Sequence, residues 1–425
     1  MALSISIARS EESKALLFTF GTNAARAGST VVPANMIYSS ELGYGFEAGP
    51  PVMELDDSVS SHQPFFFSVQ LPEGNYNVTV TLGNKTSEST TTVKAETRRL
   101  LLEEVHTGKG QFETRTFTVN VRTPAIPAGG AVKINGRETG PPLVLHWDDK
   151  LTLEFNNAQP SLAAVEIRKN DDAITVYLAG DSTVTDQVAE PWNGWGQMLP
   201  RFFKPGAAIA NHAESGLALR SFLASKRLDK IVSAIKARDY LFIQFGHNDQ
   251  KEKGEGVGAF TTYKRDLKLF VAQAREKLAI PVLITSMNRR RFDEQGRIVP
   301  TLGDYPEAMR QVAVEEQVAL IDLNVMSKDL FETLGPDISE KAFVHYPANS
   351  FPGQPRELRD DTHFNAYGSY ELARCVVEGI RNKVPHLAKL LLDDVQAFDP
   401  RHPDSIGAFR LPASPAKASE EPAGN

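Results

Sequence analysis

Four short blocks set chemically able residues at the ends of apolar runs: Gly180-Asp181-Ser182, NHAESG ending in Gly216, Gly246-His247-Asn248-Asp249, and Asp360-Asp361-Thr362-His363. A serine hydroxyl becomes a nucleophile when a base takes its proton and an acid holds that base in one tautomer. Asp360 and His363, three residues apart in a turn ahead of a helix, can do both, with one imidazole nitrogen toward the carboxylate and the other toward Ser182. Acyl transfer also needs donors for the oxyanion, each worth about 3 to 4 kcal/mol. Gly216 can offer a backbone N–H, Asn248 its side-chain amide, and Ser182 its own N–H. Each block alone has a plainer reading. GDS is an ordinary turn, DDTH a helix start with a surface histidine, Gly216 a turn glycine and Asn248 a cap. Those readings leave unexplained why Ser, Gly, Asn and Asp-x-x-His come in that order, each after a different strand. His247, Asp249 and His363 suggest a metal cluster, but their amide and hydroxyl companions suit acyl transfer better, so no metal and no organic cofactor is expected.

These blocks need a frame. The runs ITVYLA (174–179), YLFIQF (240–245), IPVLIT (280–285) and VALIDL (318–323) are near-continuously apolar, as in strands buried on both faces. A further strand is expected around Ala208 to Ala210. Between the runs, Leu228, Ile231, Val232 and Ile235 form one helical stripe, and Leu267, Phe270, Val271, Ala274 and Leu278 another. Residues 171–395 therefore read as α/β, a doubly wound parallel sheet of flavodoxin-like type, in which ligands bind beyond the carboxyl ends of the strands. Residues 1–170 carry the other period. Phe65, Phe67, Val69 and Leu71 alternate, as do Tyr76, Val78, Val80 and Leu82, then Phe117, Val119 and Val121, and Leu151, Leu153 and Phe155. Short alternating strands punctuated by turns predict an all-β sandwich or jelly roll. Residues 396–425, rich in Pro, Ala, Ser and charge, are expected to lie loose.

A chain of 425 residues that is 41% hydrophobic has ample core for two or three domains. Its net charge of -7 leaves no broad basic surface, so nucleic acid is excluded as a partner. Cys375 is the single cysteine and falls at helical spacing with Leu372, Val376 and Ile380, which reads as a buried thiol. Arg9, Glu11, Glu12 and Lys14 interrupt the opening MALSISIARSEESKALLFTF, so it offers neither a signal nor a membrane segment.

Taken together, AGDSTVTDQ, PWNGWGQMLP, NHAESG, FGHND, RRRFDEQG, GDYPEAMR and DDTHFNAYG, in order across residues 174–385, resemble the SGNH hydrolases, and within them the rhamnogalacturonan acetylesterases. The resemblance implies Ser182 as nucleophile, His363 as base, Asp360 as its orienting acid, and Ser182, Gly216 and Asn248 as the oxyanion hole. It implies an acetylated polysaccharide or oligosaccharide as substrate, with no membrane partner. Secretion or periplasmic export, with a signal peptide outside this sequence, is then expected over a cytoplasmic site. Where the family has small polar residues after the block II glycine, this chain has Leu217-Ala218-Leu219, a departure that touches substrate contacts and not the backbone donor. Arg289, Arg290 and Arg291 follow the strand IPVLIT and suit uronic carboxylates. Trp192 and Trp195 are candidates for stacking on sugar rings. The N-terminal half resembles the galactose-binding type of β-sandwich, its ligand open. The alternatives are a broader esterase of acetylated xylan or other glycans, and a non-catalytic carbohydrate-binding protein. Neither the oligomeric state nor the acetyl position cleaved can be read from the sequence.

Overall fold

The alternating residues of the N-terminal half become the two sheets of a sandwich. The computed structural model describes residues 15–139 and 145–423, so the opening stretch with Arg9, Glu11, Glu12 and Lys14 lies outside the described residues. One sheet runs Phe112–Val121, Gly74–Gly83, Ser161–Lys169, Leu16–Phe20, Thr30–Val32; the other runs Tyr44–Phe46, Phe65–Gln70, Lys150–Asn156, Ser89–Ala95, Arg99–Thr107. Period-2 alternation sends Phe67, Val78, Val80, Leu153 and Val165 into the space between them, where all are buried. Phe20 and Phe67 meet edge to face at 5.1 Å.

Beyond Lys169 the chain turns at once into the second domain. Its sheet is wholly parallel, in the order Ala207–Asn211, Ile174–Gly180, Tyr240–Gln244, Ile280–Ile284, Ala319–Ile321. Numbered along this domain the order is 2-1-3-4-5, the flavodoxin-like arrangement, with its switch point beside the first strand. Leu178, Phe242, Val282 and Ile284 face one helical layer; Tyr177, Leu241, Ile243 and Leu283 face the other. Helix Ala366–Lys383 buries Leu372, Cys375, Val376 and Ile380 along one stripe, so the thiol is a core group.

The two domains share a polar seam. The hairpin between Ser89–Ala95 and Arg99–Thr107 holds Glu96 and Arg98 at φ 55° and 60°, left-handed backbone that costs a non-glycine residue energy and persists only where the surroundings fix it. Here they do. Arg98 Nη1 donates to Gln187 O and Trp192 O, both at 2.9 Å, while Nη2 reaches Asn193 Oδ1 at 3.0 Å and Glu190 Oε1 at 2.6 Å. Arg99 Nε donates to Asp186 Oδ2 at 2.6 Å, and Gln197 Nε2 returns to Thr97 O at 2.9 Å.

Residues 396–423 are not the loose tail that their composition predicts. Phe398 is buried in the core of the second domain, and Phe409 and Leu411 pack on its edge. Further on, Lys94 Nζ donates to Pro412 O and to Ser414 Oγ, at 2.7 and 2.8 Å, and Asn156 Nδ2 donates to Ala413 O at 3.0 Å. A segment poor in large apolar residues is thus held through its backbone carbonyls, which composition does not reveal.

Candidate active site

Ser182 is set by the turn that ends the first strand of the parallel sheet. Gly180 comes close enough to its neighbours that a Cβ there would lie 2.5 Å from Val184 Cγ2, so only glycine fits. Asp181 then folds the turn on itself: its Oδ1 accepts from Thr183 N at 3.0 Å and Thr183 Oγ1 at 2.7 Å, while its carbonyl accepts from Val184 N and Thr185 N. The block is therefore both a turn and the seat of the serine.

Asp360 and His363 arrive on a strand, Leu358–Phe364, rather than in a turn before the helix. A bulge explains how residues three apart in a strand meet. On the partner strand Phe343 pairs with Phe364 and its neighbour Val344 with Asp360, so residues 361–363 swell out of the ladder. Inside the swelling, Asp360 Oδ1 accepts from Thr362 N and His363 N, both at 2.9 Å. His363 Nδ1 lies 2.7 Å from Asp360 Oδ2 and its Nε2 lies 2.7 Å from Ser182 Oγ. The relay is buried: Ser182 and His363 are each 1% exposed. Burial pushes the Asp360 carboxyl up, but the hydrogen bond and charge of His363, the His363 N–H and the Trp192 indole outweigh it and hold the group well below its usual range.

The loops that carry the oxyanion candidates adjoin one another, since Gln187 Nε2 donates to both Ser182 O and Ser215 Oγ. Gly216 adopts φ 81°, which suits glycine. Asn248 Nδ2 donates to Leu217 O at 3.1 Å, which ties the amide to the Gly216 loop and leaves its second hydrogen uncommitted. Among the described residues neither Ser182 N nor Gly216 N has an acceptor within the chain. Lys251 Nζ approaches Asn248 Oδ1 at 3.4 Å and favours the orientation that presents the amide nitrogen.

Other candidates take different places. Trp192 is 1% exposed, and its Nε1 donates to Asp360 Oδ2 at 3.0 Å. Trp195 is as deeply buried and donates to Gln244 Oε1 at 2.7 Å. Both indoles spend their N–H on internal acceptors; the Trp195 ring packs in the interior, and Trp192, at 1% exposure, borders a cavity. The three arginines separate as well. Arg289 Nε donates to Thr362 Oγ1 at 3.2 Å, beside His363; burial lowers its pKa, opposed by the charges of Asp181 and Asp360. Arg290 is committed to Asp361 at 3.0 Å and Glu340 at 2.9 Å, which brace the bulge from outside. Arg291 has an exposed side chain. His247 and Asp249 do not converge with His363. His247 Nδ1 stands 3.4 Å from Asp181 Oδ2, an ion-pair separation without hydrogen-bond geometry, and Asp249 Oδ1 accepts from Leu219 N at 3.0 Å.

Two further groups brace the site without having been singled out in the sequence. Gln187 Nε2 donates to Ser182 O at 2.7 Å, and Arg98 holds the loop that carries Trp192. A resemblance to a catalytic domain could not point to Arg98, which comes from the other domain.

With this geometry in view, the relationships are direct. Residues 178–369 match the GDSL-like lipase/acylhydrolase family. Rhamnogalacturonan acetylesterase RhgT of Bacillus subtilis (strain 168) is 46% identical over 209 residues, covering 49% of this chain and 89% of that protein. The uncharacterized esterase YxiM of the same organism is 28% identical over 400 residues, covering 88% of this chain and 93% of YxiM. Against a crystal structure of YxiM the TM-score is 0.46 at 27% identity, over 87% of this chain and 98% of that one. The chain belongs to the GDSL-like lipase/acylhydrolase family and is an esterase.

Proposed function

We propose that the protein removes acetyl groups from rhamnogalacturonan through an acetyl-enzyme on Ser182. The observation that carries this reading is the continuous relay from Asp360 through His363 to Ser182, with both links at 2.7 Å. His363 takes the Ser182 proton as Oγ attacks the acetyl carbonyl, while Asp360 holds the tautomer and stabilises the imidazolium. The oxyanion rests on Ser182 N–H, Gly216 N–H and the Asn248 amide. The C–O bond to the sugar breaks and the sugar oxygen takes the proton from His363. Water, deprotonated by the same ring, attacks the acetyl carbonyl and releases acetate with the proton returning to Ser182.

The similarity to RhgT supports the pectic substrate. So does Arg289, whose guanidinium stands beside Thr362 and can meet a uronic carboxylate bidentately. Arg290 is already paired and is not part of this proposal. Acetate release from acetylated rhamnogalacturonan, acetylated xylan and a long-chain ester tests the reading. A preference for the pectic glycan supports it; equal or better release from xylan would discard the pectic assignment, and preference for the long chain would discard a glycan substrate.

A further inference from the structure

The segment 412–423 runs as a strap from the β domain past Glu190 to the Gly216 loop. Ser414 anchors it, donating from Oγ to Glu154 Oε2 at 2.8 Å and from its N–H to Glu190 Oε1 at 3.1 Å. Glu190 N then donates to Ala416 O, and Ala418 N to Glu190 O, both at 2.8 Å, so the strap makes a single parallel β-bridge, Glu190 with Lys417, beside the loop that follows the nucleophile. Further along it passes over the Gly216 loop, where a Cβ on Gly216 would lie 3.0 Å from Ala423 Cβ.

Beneath the strap lies a cavity of about 330 Å³. Gln187, Trp192 and Ser215 line it on the side of the nucleophile loop, Arg137 comes from the β domain, and Lys417, Ala418 and Glu420 to Pro422 come from the strap. The lining borders the machinery without including Ser182 or His363: Gln187 holds Ser182 O, Trp192 holds Asp360, and Ser215 precedes Gly216. Arg137 is fixed in place by Glu214 Oε1 at 2.9 Å and Ser215 O at 3.1 Å. The cavity is at the lower end of the size range that encloses small ligands, which suits a short glycan.

We propose that the strap and Arg137 make this a size-selecting site, which deacetylates short acetylated oligosaccharides or chain ends in preference to positions within a polymer. The proposal rests on the acetylesterase reading above. It is a claim about access: the strap is a wall, and takes no part in proton transfer.

Ala418→Pro in the full chain removes the N–H that pins the strap to Glu190, and a second variant ends after Ala416, keeping the Ser414 anchor. Each is compared with the parent for kcat/KM on acetylated oligosaccharides and on polymer, both pectic and xylan, and on p-nitrophenyl acetate, with melting temperature as the folding control. The expected result is a rise of about tenfold or more in the polymer-to-oligosaccharide ratio, with the small ester changed by no more than about twofold. An unchanged ratio, or loss of small-ester turnover in both folded variants, would overturn the proposal. Activity on xylan alone would reject the pectic substrate while the xylan ratio still decides the strap. If neither glycan is cleaved, the relative rates at which a bulky and a small fluorophosphonate inactivate Ser182 decide it: the bulky reagent gains in the variants if the strap is a wall, and does not otherwise.

Discussion

Replacing Arg98 by alanine should damage both stability and turnover, although Arg98 belongs to the β domain. Its ion pair with Glu190, at 2.6 Å, has side chains only 4% and 11% exposed. Removing one partner of a buried pair costs about 3 to 5 kcal/mol, because the other charge stays behind. Glu190 would keep Ser414 N at 3.1 Å and Asn193 Nδ2 at 3.3 Å, which argues for the lower end, about 3 kcal/mol. For a domain of this size that corresponds to a fall of about 6 to 12 °C in Tm. Catalysis follows because the same guanidinium holds Trp192 O and Asn193 Oδ1, and the Trp192 indole holds Asp360. A loosened loop should lower kcat by about tenfold, equivalent to about 1.4 kcal/mol. Urea unfolding of Arg98→Ala, Glu190→Gln and the double variant isolates the pairwise coupling, and steady-state kinetics on a small ester gives kcat. A stability loss under about 1 kcal/mol, or an unchanged kcat in the folded variant, would refute the view that the β domain braces the catalytic loop.

Asn248→Ala should lower kcat on a small ester by about a hundredfold or more with the fold intact by circular dichroism, since an oxyanion donor is lost. Trp192→Phe should lower kcat by about tenfold, because Asp360 Oδ2 loses one of its two donors; full activity would show that the indole merely fills space. Asp249→Asn should be more stable than the parent at high pH. Burial raises the Asp249 carboxyl to about 7 from 3.8, with the Leu219 N–H opposing, so below 3.8 both states are protonated and there is no penalty. Between the two values only the unfolded chain ionises, and folding stability falls until, above about 7, the full deficit of at most about 4 kcal/mol is present. Denaturant midpoints at pH 5 and pH 8 check the sign: the advantage of the variant grows with pH, and a shrinking advantage would contradict it.

The strands Ile174–Gly180, Tyr240–Gln244 and Ile280–Ile284 were readable because each is an apolar run buried over nearly its whole length, the edge strand Ala319–Ile321 because it is apolar though half-buried, and the chemistry-bearing blocks because they follow such runs. The hairpin strand Leu358–Phe364 was not, since LRDDTHF has no alternation: its bulge satisfies Asp360 locally and hides the period. The bracing part played by Trp192 was not readable, because nothing local shows that its N–H meets a carboxylate 168 residues away. The strap was misjudged because its composition speaks for solvation, while Lys94, Asn156 and Glu190 bind its backbone.

The most direct test of the account is to quench the enzyme during turnover of an acetylated rhamnogalacturonan oligosaccharide and locate acetyl groups by peptide mass spectrometry. The account predicts acetyl on Ser182 in the parent, and neither acetyl-enzyme nor acetate release in Ser182→Ala. Acetate release that survives in Ser182→Ala, or an acetyl group trapped on another residue and not on Ser182, would contradict it.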